Sequence, residues 1–469
     1  MLVIAQWFRL LTQIVSIIAL SRILDPRAFG LTAMVTSIVG LATVIGDFGL
    51  SLSALSGEPP SQPQRSRLFY INVSLGMVIS LSVAAMAHPI SDFYGHPEVA
   101  SLTLALAPVF LLNAAAVQFK VEMNLRTAWR RLAATETIAP VVGLVVALIM
   151  ASIWPTAWAL IGQQIVAAVV QLILAVTLSG WRPVALRSST GVASHLRFGR
   201  DTLFGQVFVY VSNNLDNVLI GRHAGAAVLG QYSRAFQIGT LPVTQLASPL
   251  TRVFVPKLSR AAIAGGLHSE SIRCQLFLSY ALLAPLTLMI SVAKPGVRLF
   301  LGFQWGDASY LVGVLSFASI FQALGYIFYW IFVSTRQTKI LVATEAVSRS
   351  LFVASLFVVV VHGSHWVAWC VVLGQLLLLF GSAIAASRYT AVSVFTLFKV
   401  SVRPMAVYGA ATFGGYLVAS NVSRCGWDDV GSFAAGSSVW LVVAGVAVAL
   451  KRLGVRSDLL LVRDFLRGS

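Results

Sequence analysis

Long apolar runs, each followed by a short polar connection, repeat along the whole chain. The hydrocarbon core of a bilayer is about 30 Å thick and needs about 20 apolar residues in each crossing helix. Fourteen runs have this length, near residues 2–20, 31–52, 68–88, 101–118, 134–154, 157–179, 202–220, 229–251, 275–293, 309–333, 340–361, 366–386, 403–420 and 431–450. The pattern predicts an all-α polytopic membrane protein with about 14 transmembrane helices.

The seventh and eighth runs form a predicted hairpin, residues 199–257, with its turn at residues 222–229. Both runs carry polar groups that lipid does not solvate: Asp216 with Asn213, Asn214 and Asn217 on the first, and Arg234 with Gln237 and Gln245 on the second. An ionisable group inside the membrane is costly, so it normally faces protein or a water-filled path. Two interpretations remain for the charges: Asp216 and Arg234 pair across the hairpin, or Arg234 faces a cavity.

Composition and charge agree with the apolar pattern and set the topology. The 469 residues are 58% hydrophobic and 10% charged, with a net charge of +17. Most of the 33 lysines and arginines fall in alternate connections, which places those connections and both termini in the cytoplasm by the positive-inside rule. Because the basic residues are spread over many connections, no nucleic-acid partner is predicted.

The connections also predict how the chain is divided. Residues 181–201 follow the sixth run and carry four arginines, so they are the predicted cytoplasmic linker between two lobes of six helices, residues 1–180 and 202–386. Residues 387–450 then supply two additional helices, and residues 451–469 form a basic cytoplasmic tail. A short internal repeat supports the division: Arg22 and Arg222 precede Gly30 and Gly230 by the same spacing.

Several segments, taken in order, carry a family resemblance: LSRILDPRAFGLTAMV, DFGLSLSAL, VFVPKLSRA and LFLGFQWGDA. They resemble the polysaccharide-export branch, the Wzx-like oligosaccharide-lipid flippases, of the multidrug/oligosaccharidyl-lipid/polysaccharide flippase superfamily. The resemblance implies two six-helix lobes around a central cavity that opens alternately to the cytoplasm and the periplasm. It implies transport of undecaprenyl-pyrophosphate-linked oligosaccharides across the bacterial inner membrane, for exopolysaccharide, capsule or O-antigen assembly, beside polymerase and export machinery.

Two other function classes remain as alternatives. A small-molecule antiporter of the same superfamily that expels cationic drugs is expected to have acidic spans, whereas these spans carry several arginines. A membrane polysaccharide polymerase is expected to have a large periplasmic loop, and every connection here is short. No GxxxxGK[ST] phosphate loop and no His or Cys set with metal-ligand spacing occurs in the chain. We therefore predict no enzyme activity, no cofactor and no metal.

The first span carries a polar stripe, because Gln6, Arg9, Gln13 and Ser16 recur at helical spacing. In one interpretation Arg9 faces the cavity and binds the pyrophosphate, since a guanidinium matches phosphate oxygens bidentately. In the other, its long side chain reaches the cytoplasmic headgroups. Asp47 lies at a comparable depth in the second span, where an ion pair with Arg9 would serve structure or a gate.

The same question of cavity or packing arises at three further places. Asn213, Asn214 and Gln237 are candidates to bind sugar hydroxyls, because an amide offers a donor and an acceptor together. Glu345 and Arg349 share one helix face and form either a local ion pair or a proton-coupling site. The aromatic side chains of Tyr326, Phe328, Tyr329 and Trp330 either stack on sugars or belong to the core and the lipid face.

Overall fold

The computed structural model describes residues 2–47, 61–184 and 193–449, together with residues 455 and 458. Fourteen long helices form within these ranges, and no strand occurs among them. Ten of the helices are, by length and composition, able to cross a membrane. The prediction of an all-α polytopic membrane protein is confirmed.

The ranges 2–47, 61–184 and 193–449 contain sixteen α-helices. They are α1 (Leu2–Ile23), α2 (Pro26–Asp47), α3 (Gln62–Ala85), α4 (Ala87–Tyr94), α5 (Glu98–Leu125), α6 (Trp129–Ile153), α7 (Ala157–Ser179), α8 (193–224), α9 (226–263), α10 (Leu267–Ser291), α11 (Ala293–Leu301), α12 (Gly306–Ser334), α13 (Thr338–Val359), α14 (Ser364–Tyr389), α15 (Val394–Arg424) and α16 (Asp429–Ala449). Two of them, α4 and α11, are too short to span a bilayer.

Local sequence signals explain several helix ends. The Asp25 carboxylate accepts a hydrogen bond from the backbone N–H of Ala28 at 2.8 Å, and Pro26 occupies the first position of α2. Both are favoured at helix N-termini, where the first N–H groups have no partner inside the helix. The predicted hairpin turn is a single break at Gly225, where φ is 82° and ψ is 176°. Glycine adopts this backbone without steric cost, so α8 ends and α9 begins within one residue.

The first compact unit of the chain is formed by residues 1–230. Within it α1 packs on α6, while α2, α3 and α7 pack on α5. Glu122 on α5 is fully buried and is bound by two arginines, Arg65 of α3 with its Nη1 at 2.6 Å and Arg126 one turn further along α5. This carboxylate is therefore held by ion pairs on two sides where α3 meets α5.

A close helix crossing lies at the start of α2 and the start of α9. A β-carbon placed on Gly30 would overlap the carbonyl oxygen of Ala226, and one placed on Gly230 would overlap the carbonyl oxygen of Pro26. Each glycine thus faces the carbonyl that lies four residues before the other glycine. The two glycines that the internal repeat aligned are direct neighbours, and the contact between them is reciprocal.

The second compact unit of the chain is formed by residues 231–469. Its core includes the large side chains of Phe254, Phe328, Trp330 and Phe332. The helix α15 packs on α10 and α16, and the rings of Tyr408 and Trp440 stack with centroids 5.5 Å apart.

The predicted lobes, linker and tail stay predictions. The compact units divide at residues 230 and 231, so α8 groups with the helices before it. Residues 185–192 of the predicted linker, and the tail apart from residues 455 and 458, lie outside the described residues. Asp458 of that tail accepts hydrogen bonds from Arg403 at 2.8 Å and from Tyr280 at 3.1 Å.

Candidate functional site

The polar stripe on α1 meets a second polar side chain inside the first unit. Arg9 is exposed and Gln13 is half-buried. Ser16 accepts a hydrogen bond from Nε2 of Gln163 on α7 at 3.3 Å. Gln163 was not predicted, although a glutamine in an apolar span is the signal that identifies such residues. The predicted pairing of Arg9 with Asp47 involves a side chain outside the described part of the structure and stays a prediction.

The polar residues of α8 point in different directions. Asp216 is buried and accepts a hydrogen bond from the backbone N–H of Asn217 at 2.8 Å. The amide of Asn214 donates to the carbonyl of Tyr210 one turn back, whereas Asn213 is exposed. The Tyr210 hydroxyl in turn donates to the Thr36 carbonyl at 3.0 Å, which ties α8 to α2.

On α9, Arg234 lies one turn from a glutamine that it binds. Its Nη1 donates to Oε1 of Gln237 at 2.6 Å, and both side chains are half-buried. Arg234 belongs to the second unit and Asp216 to the first. Their pairing across the hairpin, and the alternative that Arg234 faces cargo, both stay predictions.

A cavity of about 480 Å³ lies within the second unit, between α9, α12, α13 and α14. It is lined by Thr251, Arg252, Phe321, Gln322, Gly325, Tyr326, Tyr329, Leu341, Glu345, Arg349, Gln375, Leu378, Leu379 and Ser382. We call it the α9–α14 cavity. Pockets that bind small molecules combine apolar walls with a few polar groups, as this lining does.

The charged pair predicted on α13 forms inside the α9–α14 cavity. Nε of Arg349 lies 3.4 Å from Oε2 of Glu345, four residues earlier on the same helix. Arg252 is the third charged residue of the lining, so two arginines and one carboxylate leave the cavity with one positive charge in excess. Arg252 was not predicted as a cavity residue, because it lies at the end of a predicted span, where basic residues are usually solvated.

The aromatic run on α12 divides between core and cavity. Phe328 and Trp330 are fully buried, and Trp330 donates from Nε1 to the Thr251 hydroxyl of α9 at 2.8 Å. Tyr326 and Tyr329 line the cavity instead, with their rings edge to face at 5.9 Å. Phe328 and Trp330 therefore belong to the core, and the stacking of Tyr326 and Tyr329 on sugars stays a prediction.

Two glutamines complete the polar lining. Gln322 of α12 and Gln375 of α14 reach the cavity, and Oε1 of Gln375 is buried with no hydrogen-bond partner among the described residues. Neither was predicted, although each is a polar residue within an apolar span. Among the residues that the structure describes, no group of His, Cys, Asp and Glu is arranged to hold a metal ion.

The sequence profile of one protein family, described as polysaccharide biosynthesis protein, matches residues 19–310 of the 469-residue chain. The chain belongs to this family. The match covers more than half of the chain, and it includes α2 to α11 and the whole of the hairpin. The α9–α14 cavity begins on the matched part, at α9, and is completed by helices beyond it.

Two bacterial relatives align over most of the chain. The lipopolysaccharide biosynthesis protein WzxC of Escherichia coli (strain K12) is 26% identical over 335 residues, which cover 68% of this chain and 67% of WzxC. The succinoglycan biosynthesis transport protein ExoT of Rhizobium meliloti (strain 1021) is 23% identical over 377 residues, 76% of each chain.

A solved structure shares the fold of this family member. The lipid II flippase MurJ in its inward closed conformation superposes with a TM-score of 0.73 at 12% identity, over 95% of this chain and 98% of MurJ. The protein therefore has the multi-pass helical fold of MurJ along nearly its whole length.

Charge reversal at Glu345 and Arg349 separates the two roles predicted for this pair. A half-exposed pair four residues apart stabilises a helix by only about 0.5 kcal/mol. If the pair is local, the double variant Glu345→Arg/Arg349→Glu recovers the polysaccharide export that Arg349→Glu alone loses. Export is measured as surface polysaccharide at equal protein level; a double variant as defective as the single one would instead favour proton coupling at Glu345.

Proposed function

We propose that this protein is a flippase for lipid-linked oligosaccharides. It moves undecaprenyl-pyrophosphate-linked repeat units from the cytoplasmic to the periplasmic leaflet of the bacterial inner membrane, by alternating access, for exopolysaccharide, capsule or O-antigen assembly. The observation that carries the proposal is membership in the polysaccharide biosynthesis family. The MurJ-like fold supports it, because it supplies a transporter architecture.

The basic side chains give the proposed cargo a chemical match. Arg9 on α1 and Arg234 on α9 are the proposed contacts of the pyrophosphate, since a guanidinium binds phosphate oxygens with two parallel hydrogen bonds and keeps its charge. The amides of Asn213, Asn214 and Gln237 are proposed to hold sugar hydroxyls. The polyprenyl chain stays in lipid, where its apolar surface needs no protein partner.

The charge distribution supports an inward-facing site for cargo entry and disfavours the antiporter alternative. Basic residues in alternate connections support a cytoplasmic location for those connections and for both termini. Anionic cargo that enters from the cytoplasm therefore meets the basic side of the protein. A cationic drug is repelled by a cavity with excess positive charge, as the α9–α14 cavity has.

Complementation of a deletion strain tests the proposal. The deletion should abolish surface polymer and cause lipid-linked oligosaccharide to accumulate, because cargo is made and not transported. Arg9→Ala and Arg234→Ala should each lower export severalfold at equal protein level, whereas Arg27→Ala should not. Arg27 is the matched control, because it is an exposed arginine that forms an ion pair with Glu98 on the surface of the first unit.

Two results would overturn parts of this proposal separately. Undiminished export by both Arg9→Ala and Arg234→Ala would remove the cationic contacts and leave the transport function standing. A deletion that changes drug resistance without loss of polymer would favour the antiporter.

A further inference from the structure

We infer that the α9–α14 cavity binds an acidic sugar residue, a hexose ring that carries one carboxylate. The inference rests on the proposed function, since the ring is a unit of the oligosaccharide cargo, and it assigns to this cavity a role separate from that of the predicted pyrophosphate contacts. Three properties of the lining carry it: the charge, the hydrogen-bonding groups and the size.

The charge of the lining fits a single carboxylate. Arg349 is 3.4 Å from Glu345 and is compensated by it, whereas Arg252 is exposed and makes no ion pair with a carboxylate among the described residues. A guanidinium binds a carboxylate bidentately, so Arg252 is the group that receives it. A pyrophosphate carries more negative charge than this cavity offsets, and it would be repelled by the Glu345 carboxylate of the lining.

The position of Arg252 is set by the residue before it. Thr251 donates its hydroxyl hydrogen bond to the carbonyl of Ala247 at 2.8 Å and accepts one from Trp330 of α12, also at 2.8 Å. Because Trp330 is fully buried, this contact fixes α9 against α12 at the wall of the cavity. The backbone of Arg252 is therefore anchored, while its side chain is open to a ligand.

The neutral part of the lining fits the hydroxyl groups of a sugar. Gln322 and Gln375 each offer a donor and an acceptor, and adjacent hydroxyls of a hexose present the complementary pair. Oε1 of Gln375 is buried without a hydrogen-bond partner among the described residues, and an unsatisfied buried acceptor is unfavourable. A ligand hydroxyl that donates to Oε1 removes this cost, so an amide acceptor is already in place for a sugar.

The two tyrosines and the volume restrict the ligand further. Tyr326 and Tyr329 present ring surface and hydroxyl groups to the same space, which suits a ring that is apolar on its faces and polar at its edges. The volume of about 480 Å³ lies within the range of about 300–1,000 Å³ typical of small-molecule pockets. It accommodates one or two sugar rings rather than a whole oligosaccharide with its lipid.

Saturation-transfer difference NMR on the purified full-length chain in lipid nanodiscs tests the inference. The probes are methyl glucuronoside, methyl glucoside and inorganic phosphate. Methyl glucuronoside should give ring-proton signals and bind about tenfold more tightly than methyl glucoside, since only the former offers a carboxylate to Arg252. Phosphate at an equal concentration should not displace it. Equal binding of the two glycosides, or displacement by phosphate, would overturn the inference.

Two variants and one control assign the binding to this cavity. Arg252→Gln should lower the affinity for methyl glucuronoside about tenfold and leave methyl glucoside unchanged, while Gln375→Met should weaken both. Arg260→Gln is the control, because Arg260 lies two turns further along α9 and outside the lining. Unchanged binding in both Arg252→Gln and Gln375→Met, with the variants folded, would place the ligand elsewhere.

The outcome is separable from that of the proposed function. Loss of polymer on gene deletion together with no binding of methyl glucuronoside would refute the acidic-sugar site and leave the flippase intact. Normal polymer on deletion would refute the flippase, while the NMR signals would still report whether the cavity takes an acidic sugar.

Discussion

Replacing Gly30 by alanine is expected to break the crossing of α2 over the start of α9. The added β-carbon would overlap the carbonyl oxygen of Ala226, and a backbone atom cannot move aside as a flexible side chain does. Overpacking of this kind costs about 1–3 kcal/mol and more where nothing yields. The thermal unfolding midpoint of the purified protein should fall by several degrees, and Gly230→Ala should cause a similar fall because the contact is reciprocal.

Two comparisons show whether the crossing of α2 and α9 is responsible for the fall in the unfolding midpoint. Gly409→Ala on α15 is the control, since a β-carbon there meets no atom within 4 Å and alanine favours the helix. The double variant Gly30→Ala/Gly230→Ala should lose less than the two single losses combined, because the helices separate only once. Single variants as stable as Gly409→Ala would mean that the two helices do not approach this closely.

Removal of the Glu122 carboxylate is the second change with a large expected effect. Glu122 is fully buried between Arg65 and Arg126, and breaking a buried ion pair typically costs about 3–5 kcal/mol. Arg126 is half-exposed, so its charge can be solvated by water when the carboxylate is removed. The loss of unfolding free energy in Glu122→Ala should therefore lie at the lower end of this range. The measurement is again the thermal unfolding midpoint of the full chain.

An exposed ion pair of the same unit serves as the matched control. Glu98 pairs with Arg27 at 2.8 Å, and about half of each side chain is exposed. Exposed pairs contribute about 0–1 kcal/mol, so Glu98→Ala should hardly change the midpoint. The unfolding midpoint of Glu122→Gln should lie between those of Glu122→Ala and Glu98→Ala, since glutamine keeps a hydrogen-bond acceptor and loses the charge. Equal midpoints for Glu122→Ala and Glu98→Ala would contradict the structural role of the buried carboxylate.

Much of the fold follows from the sequence because the membrane imposes a minimum length on each helix that crosses it. Each predicted span overlaps one of the fourteen long helices, and the predicted turn at residues 222–229 contains the break at Gly225. Helix ends follow from local chemistry, as Asp25 and Pro26 show at α2. These features depend on residues close together in the chain, so no knowledge of neighbouring helices is needed.

The cavity could be predicted only in part, because it depends on which helices are neighbours. Spacing places Glu345 and Arg349 on one face of α13, and it cannot show that Gln375 of α14 and Arg252 of α9 meet that face. Glu122 illustrates the same difficulty, since a carboxylate near a span end beside several arginines is indistinguishable in sequence from a solvated one. Helical periodicity gives the direction of a side chain and not its partner.

The reciprocal contact of Gly30 and Gly230 has a consequence for the local symmetry of the first unit. Each helix supplies a glycine and a carbonyl four residues earlier, so the contact is the same when viewed from either partner. The contact is therefore isologous, the kind that two equal segments make across a local two-fold axis.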